Sequence, residues 1–440
     1  MKHKLKAAAA GLAVLYLLSM QSIQAQDSIR KINLKDAIDQ SIANSHLLKN
    51  NKAKIDEAIA ATKEATERKL PDFSVSASYL YLPVRPKINL KSDTSRGGGG
   101  PKVSQAMYGM VSASLPLFAG GKIKYGIESS KYLEQAAKLD ADDNREAITL
   151  NTINAYSNLY KAEAAVALVK DNLVQSNQRV KDFTNLEKNG LLARNDLLKV
   201  ALQSSNIELT LLDAESNYTL ASVNMALMLG LPEHTVLSAE SVSLQLTSDV
   251  KTIDEYEALA VQGRKDIGAL ALRKKVAQVD IKYVKANYYP SVAVTAGYIA
   301  LDVPNFVNIT NAVNIGVGVK YSLSSLWKTK SKIAQAEARV QQLSANQDML
   351  NDNIRLQINQ AYQAWLLSNK KIEVYKKAVE QAAENYRITK NKYDNALATT
   401  TDLLDADVAQ LQTRLNVTNA TADAVVAYNK LLQTAGLLNN

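Results

Sequence analysis

Few residues of this chain could do chemistry, and most are badly placed for catalysis. The histidines, His3, His46 and His234, are scattered, and there is no cysteine. No metal-ligand spacing and no phosphate-binding loop occur, and the serines sit in no nucleophile elbow. An enzyme is not expected, and no metal or cofactor is implied. What remains is a pair of carboxylates in "TTTDLLDAD", Thr399 to Asp407. Asp402 and Asp405 are three apart, so on a helix they share a face. The plainer role for Asp402 is a helix-start carboxylate, held near the positive end of the helix dipole.

The elements that must position these residues come in duplicate. "PDFSVSASY" at Pro71 matches "PSVAVTAGY" at Pro290, "NGLLARNDLL" at Asn189 matches "NALATTTDLL" at Asn395, and "LGL" at Leu229 matches "AGL" at Ala435. The order is the same in both halves, so the chain is an internal repeat. We expect a first repeat over 26–232, a linker over 233–252 and a second repeat over 253–440. By this alignment Asp196 stands where Asp402 does, and Lys199 where Asp405 does. One loop, between Leu82 and Gln105, is longer in the first half and holds "RGGGGP", which is turn material.

Each repeat has one plan. A helix of about 36 residues, Leu34 to Leu70 or Ile253 to Tyr288, is stopped by Pro71 or Pro290. Two strands follow, at about 72–82 and 105–118 or 290–301 and 312–323. A helix of roughly 65 residues then spans about 100 Å. A tip at Asn189–Gly190 or Asn395–Ala396 leads to a returning helix. Both long helices carry heptads. Ala155, Leu159, Ala162, Val166, Val169, Leu173, Ser176, Val180 and Phe183 alternate in steps of four and three. Ile354, Ile358, Ala361, Trp365, Ile372, Tyr375, Val379, Ala382 and Tyr386 keep the same rhythm, with one step of seven. This is an antiparallel coiled-coil seam rich in alanine, too long for an ordinary globular core.

All four strands pair an apolar face with a small or polar one. In the fourth, Val313, Ile315, Val317, Val319, Tyr321 and Leu323 alternate with Asn314, Gly316, Gly318, Lys320 and Ser322. Strands of this length cross a bilayer when tilted, and tyrosines near their ends suit the membrane interface. The other home for such faces is a β-sandwich in which they bury each other. In lipid, four strands leave two open edges that other copies of the chain must satisfy. Two copies would give eight strands and three would give twelve, the larger ring leaving room for solvent.

The formal charge of +9, with no basic block beside aromatic residues, lends nucleic-acid binding no support. Lys2, Lys4 and Lys6 precede the apolar run Ala7 to Met20, and Ala25 ends "SIQA". This is the pattern of a signal peptide over 1–25, cleaved near Ala25. Removing its three lysines lowers the charge to +6, and the excess is scattered. Zero cysteines suit an exported protein built without disulfides.

With the repeats, the strand starts "LPLFAGGK" (Leu115 to Lys122) and "LPDFSVSASY" (Leu70 to Tyr79), and the tips "EKNGLLARNDLL" and "YDNALATTTDLLDAD", the chain resembles TolC-type outer-membrane efflux proteins over nearly its whole mature length. The resemblance implies a mainly α fold with a small β part: duplicated long antiparallel coiled-coil helices form a periplasmic tunnel, and four strands per chain contribute to a trimeric, 12-stranded outer-membrane β-barrel. Val313, Ile315, Val317, Val319 and Tyr321 would then face lipid. It implies a homotrimer that works with a periplasmic adaptor and an inner-membrane pump, in efflux or type I secretion. Asp402 and Asp405 fall where the family can carry acidic rings at the tunnel entrance, which attract cations and raise one another's proton affinity. Tyr393 matches a family tyrosine that links the second tip to the first-tip aspartate, here Asp196, in the closed state. The family arginine beside it is replaced by Ala398. Gly190, Leu191, Ala396 and Leu397 fall in tips that the family uses for adaptor docking, although all four also serve as plain turn residues. The competing function is a periplasmic coiled-coil adaptor or structural protein without a pore.

Overall fold

A computed structural model describes residues 29–84, 103–240, 251–304 and 306–438. The expected signal peptide and the glycine-rich stretch of the long loop lie outside the described residues. In chain order the elements are β1 (Arg30–Ile32), α1 (Leu34–Asn44), α2 (His46–Glu67), β2 (Asp72–Tyr81), β3 (Gln105–Phe118), α3 (Lys122–Lys188), α4 (Arg194–Leu229) and β4 (Leu237–Ala239). Then come α5 (Ile253–Gly263), α6 (Lys265–Lys285), a 3-10 turn (Ala286–Tyr288), β5 (Ser291–Val303), β6 (Val307–Lys320), α7 (Ser325–Asp394) and α8 (Thr400–Thr434). The two long helices have 67 and 70 residues. No helix among the described residues is long and apolar enough to cross a membrane.

The chain forms two compact units that interleave in sequence. One comprises Met1–His46, Arg145–Gly263 and Arg355–Asn440, the other Leu47–Asn144 and Arg264–Ile354. The first unit is helical and closes around Tyr156, Leu159, Met225, Leu229, Leu237 and Val425, with Ala37, Ala155, Ala226 and Ala422 between them. Alanine at these positions lets helix backbones approach, and each buried large side chain contributes about 1.5–3 kcal/mol. The heptads of α3 and α7 are the faces that are buried: Leu159, Val169, Ser176 and Phe183 on one, Ile354, Ile358, Ala361 and Ile372 on the other.

This unit also holds a two-stranded parallel pair, β1, which precedes the first expected helix, with β4, which lies in the expected linker. Three residues per strand cannot stand alone. Helix side chains fasten them. The Tyr156 hydroxyl lies 2.9 Å from the Ile32 carbonyl, and Tyr218 donates to the Leu237 carbonyl at 2.7 Å. Glu163 accepts from the Ser238 hydroxyl at 2.6 Å and from the Ala239 N–H at 2.9 Å.

The helix expected over Leu34 to Leu70 is broken at Ser45, and its counterpart is broken at Arg264. Both breaks sit beside the C-terminus of the returning helix of their own repeat. Asn44 donates to the Leu229 carbonyl at 2.7 Å, and at Gly263 an added Cβ would lie 3.1 Å from the Gly436 carbonyl oxygen. The first break satisfies an otherwise orphaned helix-end carbonyl and the second lets the backbones come close, tertiary demands that hydropathy does not record.

The second unit holds a four-stranded antiparallel sheet in the order β2-β3-β5-β6. Its register aligns the apolar positions into rows. Phe73 pairs with Ala113, Ala113 with Ala296 and Ala296 with Ile315; Val75, Val111, Tyr298 and Val313 form the next row. A slip of one residue in any strand would scatter these rows. The opposite face is small and polar: Ser74 and Ser112 share a hydrogen bond of 2.7 Å, and a Cβ at Gly297 would fall 2.6 Å from Asn314 Oδ1. The fourth strand differs from the expected 312–323. It begins at Val307, passes through Asn311 at φ 60, and pairs with β5 across a register shift between Ile299 and Leu301. The left-handed Asn311 interrupts the two-residue alternation, so the pattern in the chain marks only the part of the strand after it. The strand ends at Lys320, which leaves Tyr321 and Leu323 in the connection to α7.

Candidate functional site

The two tips have the same backbone. At the first, Leu191 N–H bonds to the Leu186 carbonyl (2.9 Å) and Gly190 N–H to the Glu187 carbonyl (2.9 Å). At the second, Leu397 N–H bonds to the Lys392 carbonyl (2.8 Å) and Ala396 N–H to the Tyr393 carbonyl (2.9 Å). Each is a Schellman motif, which needs a left-handed residue at its centre. Gly190 supplies it at φ 72, and Ala396 adopts it at φ 57 in spite of its Cβ. The following leucines, Leu191 and Leu397, are 74% and 77% exposed.

Just beyond each tip stand the carboxylates, in different states. Asp402 closes a capping box at the start of α8: its Oδ2 accepts from Thr399 N–H (2.9 Å) and hydroxyl (2.7 Å), while the Asp402 N–H donates to the Thr399 hydroxyl (3.2 Å). The hydrogen bonds from the Thr399 side chain, then its backbone, hold the Asp402 carboxyl below the ordinary aspartate value. Asp405, one turn on, is exposed and makes no hydrogen bond or ion pair among the described residues. In the first repeat Asp196 sits 3.4 Å from the Lys199 ammonium. The lysine that stands in place of Asp405 therefore neutralises the first tip, and the free acidic charge belongs to the second.

Tyr393 stacks flat on Phe183, with ring centroids 5.6 Å apart and planes 6° from parallel. The pair packs with Leu197, Val200 and Leu404. Tyr393 and Asp196 are not hydrogen-bonded to one another in this arrangement.

Sequence reasoning passed over the strongest charged contact of this region. Asp407, 1% exposed, receives Arg179 Nη1 at 2.9 Å and Asn172 Nδ2 at 3.4 Å, and Arg179 Nη2 donates to the Tyr386 hydroxyl at 3.1 Å. Burial pulls the Arg179 guanidinium down, but the hydrogen bond and charge of Asp407, with Tyr386, outweigh it and hold it above its ordinary value. A signal was present. Asp407 follows Leu403 and Leu404 by four and three residues, which puts it on the buried face of α8 rather than on the face of Asp405.

The sheet presents its apolar face without cover. Val317 is 66% exposed, and Val313, Ile315, Val319, Phe73 and Val75 are exposed with it. A contiguous apolar surface of this kind on a single chain marks a membrane or partner contact. Among the described residues no group of histidines and carboxylates could hold a metal ion.

Comparison with known proteins agrees with this geometry. The family model described as outer membrane efflux protein matches residues 37–231 and 258–437. Outer membrane efflux protein BepC of Brucella suis biovar 1 (strain 1330) is 22% identical over 359 residues, which cover 80% of this chain and 77% of that protein. Three solved structures share the fold. The outer membrane protein VceC of Vibrio cholerae superposes with a TM-score of 0.74 at 20% identity, covering 92% of this chain and 96% of that one. The CmeC outer membrane channel of Campylobacter jejuni gives 0.74 at 16% identity, covering 92% and 86%. The open state of the MtrE outer membrane channel of Neisseria gonorrhoeae gives 0.71 at 16%, covering 92% and 89%.

Proposed function

The chain belongs to the outer membrane efflux protein family and is an outer-membrane efflux channel with periplasmic helices, and from that premise we propose that three copies close one twelve-stranded barrel whose helices take cargo from an adaptor and an inner-membrane pump. The uncovered apolar face of the sheet carries this reading. Its edges, β2 and β6, have unpaired backbone groups, each costing several kcal/mol in hydrocarbon. β2 starts at the end of the sheet where β6 finishes, so β6 of one copy beside β2 of the next is antiparallel and continues the alternation. Around a threefold axis the rows of valine and isoleucine would then form an outer band against lipid, and Ser74, Ser112 and Gly297 would line the lumen.

At the second tip, Asp405 would repeat three times around the axis as the free acidic ring. Asp402 would add a second ring whose charge is pinned by its cap. Gly190, Leu191, Ala396 and Leu397 would meet the adaptor, with the two bare leucines as the contact. Tyr393 and Asp196 would link the tips in the closed state, once Tyr393 leaves Phe183. The 26–232 and 253–440 repeats are the units of this duplication.

In planar bilayers the purified protein should conduct, with preference for cations, and Asp405→Ala with Asp402→Ala should weaken that preference. A monodisperse monomer in buffer without detergent overturns the barrel, and selectivity unchanged in the double variant removes the two aspartates from the constriction.

A further inference from the structure

The sheet's apolar face continues beyond the strands at their helix-joined end. Leu70 before β2, Phe118 closing β3, Tyr289 before β5 and Leu323 and Trp327 after β6 are all exposed, Trp327 by 63%. Register places these residues together, since Ser291 pairs with Lys320 and Phe118 with Val292. Basic residues follow immediately. Lys122 and Lys124 lie in the first turn of α3, Lys282 and Lys285 in the last turn of α6, and Lys328 and Lys330 in the first turns of α7. Among the described residues none of these six is in an ion pair. Of the nearby carboxylates, Glu64 and Glu67 are engaged, by Arg68 at 2.9 Å and Lys63 at 3.8 Å, while Asp72 at the start of β2 is exposed and Asp280 is half-buried beside Lys282.

This placement has a cost within the fold. Lys122, Lys124 and Lys328 stand at helix starts, where the dipole opposes a positive charge and acidic residues are favoured. An outside anion would offset that cost. An apolar band that ends in aromatic residues and then lysines is the order of surfaces met on leaving hydrocarbon for the headgroup layer.

We propose that these lysines form a collar that binds the anionic phospholipid headgroups of the leaflet on the helix side of the barrel. The inference rests on the membrane reading of the sheet and goes beyond it, since a barrel can sit in neutral lipid without a charged collar. An anionic surface attracts each lysine near it and is screened by salt.

The test is lipid retention by the detergent-purified full-length assembly, read by native mass spectrometry after incubation with equal amounts of phosphatidylglycerol and phosphatidylcholine. Phosphatidylglycerol should be retained at least about fivefold better, the factor that one surface-engaged lysine supplies. The preference should fall in high salt. It should be lost in the variant carrying Lys122→Gln, Lys124→Gln, Lys282→Gln, Lys285→Gln, Lys328→Gln and Lys330→Gln, and kept when the same six become arginine. Equal retention of both lipids by the unaltered protein overturns the proposal. So does a glutamine variant that keeps the preference, or one that instead changes ion selectivity, which would place the lysines in the lumen. A preference for lipopolysaccharide over phosphatidylglycerol would assign the collar to the opposite leaflet and also overturn it. Bilayer conductance of the glutamine variant keeps the two readings apart: failure of the collar leaves the channel intact, and failure of the channel reading abolishes conductance in every form.

Discussion

Asp407 and Asp402 are five residues apart on α8, yet they are held by different physics. Asp407 is a charge removed from water and returned to balance by Arg179, Asn172 and Tyr386. Deleting one partner of such a pair strands the other, at a cost of about 3–5 kcal/mol. Asp407→Ala should therefore lower the denaturant midpoint of the protein, and Arg179→Met added to it should restore part of the loss, which chemical denaturation can measure. Asp402 is exposed, and its partner is its own helix start. Because its folded carboxyl lies below the ordinary value of 3.8, its contribution is present above that value and is lost as the pH falls through the depressed one. The destabilisation by Asp402→Asn, read from melting temperatures, should be seen at neutral pH and vanish at pH well below 3.8.

The tips are where the two repeats, alike in backbone, differ in chemistry. Both end a long helix through a Schellman motif, but Ala396 carries a Cβ into left-handed backbone that Gly190 enters freely. Ala396→Gly should raise stability by about 0.5–1 kcal/mol, once the greater freedom of glycine in the unfolded chain is subtracted. At Gly190 an added Cβ would meet no atom within 4 Å, so Gly190→Ala should lose a similar amount through backbone strain alone. Melting curves of the two variants, one up and one down, check this, and equal shifts in the same direction would contradict it. The strands make the complementary point. β2, β3, β5 and β6 carry alternation strict enough to read from the chain, whereas β1 and β4, with three residues each, exist only because Tyr156, Glu163 and Tyr218 reach them.

For the whole molecule, the decisive surface is the one the single chain leaves bare. Val317 pairs with Val294 in the sheet and is exposed, with nothing over it among the described residues. If lipid covers it, Val317→Arg costs about 2–4 kcal/mol at the bilayer midplane. Heat-resistant oligomer and bilayer insertion should then both decline, as gel mobility and membrane fractionation would show. Normal assembly of this variant would mean that the face points elsewhere.

Length, duplication, heptads and strand alternation were determined by the sequence alone, because each is a periodic pattern that local backbone geometry must obey. So were the two tips and the difference in charge between Lys199 and Asp405. Only the tertiary structure decided which side chains use each other. Asp407 became a buried ion-pair member and Asp402 a cap, Tyr393 lay down on Phe183, and helices that read as continuous broke at Ser45 and Arg264 to meet the ends of α4 and α8. Periodicity reports which face of an element is apolar. It does not report what that face meets, since contact joins residues far apart in the chain through distances that no local pattern encodes.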